Sequence, residues 1–158
     1  MAINHDPVQL ARILPGIWRI GASNFPVWLS GERTEPTFNY ELKNSDPLEL
    51  HDVVSWGTSK GAERTTIGVD KWSGDGFIWR GTKLRSPLTS HWSVLGTAHN
   101  DCVLAIRFSK ALFSAAGVDN IIRDGVDPGE LRAIVAHSSE SLGLTPGEFA
   151  SLTWIDLS

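Results

Sequence analysis

The chain offers few side-chain pairs with which to do covalent chemistry. His51-Asp52 and His91-Trp92 sit in runs where apolar and polar residues alternate. Neighbours in such a run point to opposite faces, so His51 and Asp52 cannot form a relay within one strand. Of the other histidines, His5 is near a terminus, His99 is in a turn signal and His137 is in a helical pattern. No two histidines have zinc-ligand spacing and Cys102 is the only cysteine, so neither a metal site nor an intramolecular disulfide is expected. A haem needs only one axial histidine, for which His51 or His91 is the candidate; otherwise no cofactor is expected. Nucleophile elbow, P-loop and dinucleotide glycine motif are all absent, and Ser138-Ser139 has no base beside it. If acid–base chemistry occurs, its candidates are His51, His91, Tyr40 and Asp70, provided one projects into an apolar cavity where its pKa is perturbed.

The residues better suited to binding are the aromatics: seven Trp, six Phe and one Tyr. Indoles are costly to bury unless the ring packs and its N–H finds an acceptor, so this number suggests a core or cavity of flat, polarisable surface. Tyr40, Trp56, Trp79 and Trp92 lie mid-strand and are the candidate cavity residues, with the Tyr40 phenol able to hydrogen-bond a ligand oxygen. Arg80 and Arg107 stand within apolar strands. Pointing inward, such a guanidinium would need an anion and would suit a carboxylate ligand, which makes Arg107 a further binding candidate. Pointing outward, it is a solvated barrel arginine.

The elements that must position these residues are mostly strands. Asp6 to Leu14 reads as a short helical turn ending before Pro15-Gly16. Trp18, Ile20 and Ala22 then alternate with Arg19 and Gly21. Further alternating runs follow at Thr37 to Leu42, Leu50 to Trp56, Arg64 to Trp72 and Phe77 to Leu84, then at His91 to Thr97, Cys102 to Phe108 and Val118 to Arg123. Ser73-Gly74-Asp75-Gly76 and His99-Asn100-Asp101 mark hairpin turns. Cys102, at the start of its run, is expected to be a buried, inert thiol. The period then becomes helical. Asp127 with Pro128 starts a helix whose apolar face carries Leu131, Ile134, Val135 and Leu142, and which Gly143 ends. Thr145-Pro146-Gly147-Glu148 opens one more turn, and Leu152 to Ile155 reads as a last short strand. About eight antiparallel strands followed by one helix suggest an all-β barrel in a single domain, residues 1–158.

Composition narrows the partners. A net charge of −4 with no Lys/Arg cluster argues against nucleic acid. No apolar run approaches the roughly 18 residues of a membrane helix, and the first residues lack a signal peptide's regions, so a cytoplasmic location is expected. Oligomeric state stays open, a homodimer included.

In this setting three motifs resemble the lipocalin (calycin) family: Gly16-Ile17-Trp18 at the start of the first strand, Arg123 just before the helix, and the helix followed by Leu152-Thr153-Trp154-Ile155. The resemblance implies an up-and-down barrel with Trp18 across its closed end, Arg123 stacked on that indole, and a last strand that returns to the first. It assigns Gly16, Trp18 and Arg123 structural roles. A Thr-Asp-Tyr type motif is missing after the sixth strand, so an outlying or bacterial lipocalin-like member is implied. The function expected is binding of a hydrophobic small molecule, such as a lipid or aromatic acid, in the cavity. The alternatives are a lipocalin-like isomerase, cyclase or dehydratase acting on a hydrophobic substrate there, and a ligand-free partner-binding barrel.

Overall fold

A computed structural model describes residues 6–82, 89–109, 116–127 and 129–155. The chain runs α1 (Pro7–Ile13), β1 (Gly16–Ser23), α2 (Pro26–Leu29), β2 (Arg33–Ser45), β3 (Leu48–Thr58), β4 (Glu63–Trp72) and β5 (Phe77–Gly81). It continues as β6 (Thr89–Ala98), β7 (Val103–Phe108), β8 (Gly117–Arg123), α3 (Leu131–His137), α4 (Pro146–Ser151) and β9 (Thr153–Trp154). Strands β1 to β8 pair antiparallel with their sequence neighbours, and β8 returns to β1, with Trp18 opposite Arg123. The first half of β1 also pairs with β2, so the sheet closes into an eight-stranded up-and-down barrel that leaves no long open edge. The open-end half of β1 pairs instead with β9, through Ala22 opposite Trp154.

Strand alternation sorts the apolar residues into two cores. Trp18, Ile20, Phe38, Tyr40, Leu50, Phe77, Trp92 and Ile121 belong to the cluster inside the barrel, joined by Leu10 and Leu14 of the α1 region. Ala22, Leu95, Val103, Ala105 and Val118 lie on the outer wall, packed against Val135, Leu142, Leu144 and Leu152. Bulges in β1 between Ile20 and Ala22, and in β6 between Val94 and Gly96, shift the inside–outside phase so that one strand can serve both layers. The C-terminal segment lies close enough to require glycine: a Cβ on Gly96 would come within 2.0 Å of the Ser141 carbonyl oxygen.

The closed end is an interlock of the residues in the sequence motif. Asp6 caps α1 by accepting from the Gln9 N–H at 2.9 Å. Trp18 is fully buried and donates its indole N–H to the Leu14 carbonyl at 2.9 Å. Arg123 stacks on Trp18, its Cζ 4.3 Å from the ring centroid, while its guanidinium donates to the carbonyls of Pro15 and Ile13. Gly16 has φ of +129°, and a Cβ there would meet Arg123 Nη1 at 2.5 Å, so glycine is required both by conformation and by space.

Three local expectations differ from the structure. The helix expected from Asp127 begins at Leu131, because Gly129 takes a left-handed φ of +79° and Asp127 accepts from its N–H instead of capping a helix; Pro128 lies outside the described residues. That helix ends at His137, not Leu142. Ser138 and Ser139 give their carbonyls to turn hydrogen bonds from Leu142 and Leu144, yet Leu142 is still buried in the outer core. Cys102 is half-buried in the turn before β7. The end of the strand expected at Leu84, and His5, fall outside the described residues.

Candidate functional site

Between the closed end and α2 the barrel holds a cavity of about 210 Å³. Each wall follows from strand alternation. β2 contributes Phe38 and Tyr40, and β3 contributes Asp52 and Val54. β5 to β8 add Trp79, Ser90, Trp92, Phe108 and Asp119, while Phe25, Val27 and Trp28 come from the β1–β2 connection. Pro26 at the first position of α2 presets its helical φ, which favours this single turn in a connection that would otherwise be open loop.

Trp92 is the centre of the aromatic wall. It stacks between Phe77, at 4.6 Å between centroids, and Tyr40, at 5.5 Å. Its indole N–H donates to Asp70 Oδ1 at 3.0 Å. Trp28 stands edge-on to Phe38 at 6.3 Å and to Trp56 at 6.4 Å. Trp79 packs against Gly68, where a Cβ would come within 2.2 Å of its Nε1.

Three carboxyls are buried inside this aromatic shell: Asp52, Asp70 and Asp119. Asp52 Oδ1 and Asp70 Oδ2 have no hydrogen-bond donor, and the two carboxyls lie in contact. One proton held by Asp70 and shared with Asp52 satisfies both. Burial, the negative charge of Asp52 and that hydrogen bond all push Asp70 up, against the pull of the Trp92 N–H. Burial pushes Asp52 up to about 6, with the Asp70 hydrogen bond and the nearby His51 opposing. Asp119 stands apart. Neither of its oxygens has a hydrogen-bond partner, and burial pushes it up to about 7 although Ser23 and Trp28 lie close enough to favour the charged form. Tyr40 is driven well above its ordinary value, first by burial and then by all three carboxyls.

The residues singled out from sequence divide sharply. Tyr40, Trp79 and Trp92 line the cavity. Trp56 does not; it lies at the rim, where the Arg33 guanidinium stacks on it at 4.3 Å. Arg107 faces outward and makes a bidentate pair with Glu148 of α4 at 2.7–2.9 Å, so it cannot orient a ligand in the barrel. Arg80 is also exposed. His51 lies on the opposite face of β3 from Asp52. His91 is on the outer face of β6, hydrogen-bonded to Asp75 Oδ1 at 3.1 Å. Neither histidine can act as acid, base or haem ligand inside the barrel. Asp70 is inside, beneath the lining residues, and reaches the cavity through Asp52. Among the described residues no three His, Cys, Asp or Glu side chains converge as metal ligands.

Sequence reasoning passed over Asp52 and Asp119, and with them Trp28, Phe38 and Phe108. A signal was present for Asp52, which follows Leu48 and Leu50 and precedes Val54 in one phase of β3. A carboxylate in the inward phase of an apolar strand is costly and therefore informative. Asp119 had no such signal, because β8 is buried on both faces and its phase cannot be read from pattern.

Solved structures resemble this arrangement along nearly its whole length. A lobster apocrustacyanin superposes with a TM-score of 0.60 at 9% identity, over 97% of this chain and 86% of that one. The siderocalin Ex-FABP gives 0.59 at 15% identity, over 92% and 95%. An odorant-binding protein gives 0.58 at 13% identity, over 96% and 94%. The fold is lipocalin-like. At these identities what the lipocalin-like chain shares with its neighbours is the fold alone. No family model and no curated protein matches its sequence.

Proposed function

We propose that this lipocalin-like barrel binds a small, largely apolar molecule in the cavity lined by Trp28, Tyr40 and Trp92. The observation that carries the reading is an aromatic-walled space of about 210 Å³ inside a closed barrel, beside the buried apolar cluster of its interior. The neighbouring folds include an odorant-binding protein and a siderocalin described as functioning through dual ligand specificities, which supports a carrier or sensor role. Size limits the ligand: a dry cavity of about 150 Å³ already holds benzene, whereas drug-sized ligands take roughly 300–1,000 Å³. One substituted ring fits. A ring comparable to an aromatic side chain buries about 150–250 Å², worth roughly 4–6 kcal/mol at 25 cal/mol per Å². Apolar burial alone therefore gives Kd values from about millimolar to tens of micromolar, and polar contacts must supply the rest.

Native mass spectrometry of the purified protein, followed by organic extraction, tests the reading. A one-to-one adduct is expected, either co-purified or formed on adding a small aromatic compound. A protein that stays at its bare mass with every such compound would overturn it.

A second reading, catalysis on the same molecule, has one observation in its favour. Asp52 lines the cavity with its carboxyl against that of Asp70, which burial and the charge of Asp52 push up. Such a pair can donate and accept a proton at one place, as an isomerase or dehydratase requires. Turnover lost in both Asp52→Asn and Asp70→Asn would separate catalysis from carriage.

A further inference from the structure

The lining contains two carboxyls, Asp52 and Asp119, and, among the described residues, no Lys or Arg. The nearest guanidiniums are committed elsewhere: Arg33 to the Trp56 and Trp28 rings at the rim, Arg123 to the closed end. Asp119 is the decisive group. It is wholly buried and faces the cavity, and neither oxygen makes a hydrogen bond of good geometry, the Ser23 and Trp28 side chains lying near without closing one. A buried acceptor without a donor is a cost that native proteins rarely carry without a use. The same cavity is lined by Trp28, Phe38, Tyr40, Trp92 and Phe108, and an aromatic ring attracts a cation where a face is free. Anions are disfavoured by the carboxyls of the lining, and a neutral apolar ligand would leave Asp119 unpaired.

We propose that the cavity is selective for a small amine, its ammonium group held by Asp119 and its apolar or aromatic body lying against the aromatic wall. This inference rests on the binding reading above and deepens it. Asp52 stays engaged with the Asp70 proton, and the Tyr40 phenol stays neutral. The titratable groups facing the ammonium are then Asp119 from β8, Asp52 from β3, Asp70 from β4 and Tyr40 from β2. An ammonium ion supplies the N–H donor that Asp119 lacks, and its positive charge favours the ionised form.

The test uses three probes of one shape: 2-phenylethylamine, 2-phenylethanol and 3-phenylpropionate. Each is titrated into the whole protein at pH 8 by calorimetry. The amine should bind at least about tenfold more tightly than the alcohol, since one charge-assisted hydrogen bond supplies that factor or more. The carboxylate should bind most weakly. Asp119→Asn should remove the preference, weakening the amine about tenfold and leaving the alcohol nearly unchanged. That variant removes a buried charge, so loss of fold does not mimic the effect, and its melting curve confirms this. An alcohol or carboxylate that binds as tightly as the amine, or an amine indifferent to Asp119→Asn, overturns the inference and leaves the barrel reading standing. Failure of all three probes overturns both.

Discussion

Replacing Asp119 with Asn should stabilise the ligand-free protein at neutral and alkaline pH, yet change it little near pH 4. Burial raises this carboxyl from 3.8 to about 7 in the folded state. Between those values the folded chain keeps a proton that the unfolded chain has released, so stability falls as pH rises through that window and levels off above it. A tenfold change in proton affinity corresponds to about 1.4 kcal/mol, which makes the full swing roughly 4 kcal/mol at most. Asn has nearly the same shape and no charge, so it removes this pH dependence while other groups keep theirs. The assay is urea unfolding of both proteins from pH 4 to pH 9, followed by tryptophan emission. The difference in unfolding free energy should grow in favour of Asn from pH 4 to 7 and then stay level. At pH 8 the variant should melt roughly 10 °C higher, at 2–4 °C per kcal/mol for a domain of this size. A difference that is flat with pH, or that turns against Asn above pH 7, would show that the charged carboxylate is satisfied in the fold and would refute the reasoning.

Two further outcomes follow from the geometry. Trp18→Ala should cost about 3–5 kcal/mol in thermal or chemical unfolding, because it empties the closed end and removes the ring beneath Arg123; an unchanged melting temperature with lost ligand binding would mean that Trp18 belongs to the cavity. Arg107→Ala should cost about 1 kcal/mol or less, the usual worth of an exposed pair, and calorimetry should show the amine affinity unmoved.

Most of the architecture was legible because it rests on period and punctuation. Alternation identified the strands, Ser73-Gly74-Asp75-Gly76 identified a hairpin, and Gly16, Trp18 and Arg123 carry chemistry that only one packing satisfies. The helix was legible in its apolar face but not in its ends, since a left-handed Gly129 and the carbonyls of Ser138 and Ser139 decide those locally. The site was half legible. Large aromatics such as Tyr40, Trp79 and Trp92 go inside for general reasons of burial. Arg107 could not be placed by pattern, because β7 is apolar on both faces, and its partner Glu148 lies 41 residues away on α4. Asp119 was hidden for the same reason on β8. Double-faced burial, caused by the C-terminal segment packing on the outside of the barrel, erases the alternation from which facing is inferred.

Filling the cavity decides whether it is a ligand site. Val54 lines the cavity and leaves room that a larger side chain would occupy. Wild type and Val54→Trp are titrated with 2-phenylethylamine and 2-phenylethanol, reading heat and tryptophan emission together. A ligand held in the barrel gives saturable one-to-one binding to wild type and none to the filled variant, with the fold retained. Equal binding by both proteins would place the ligand outside the barrel and contradict the cavity assignment.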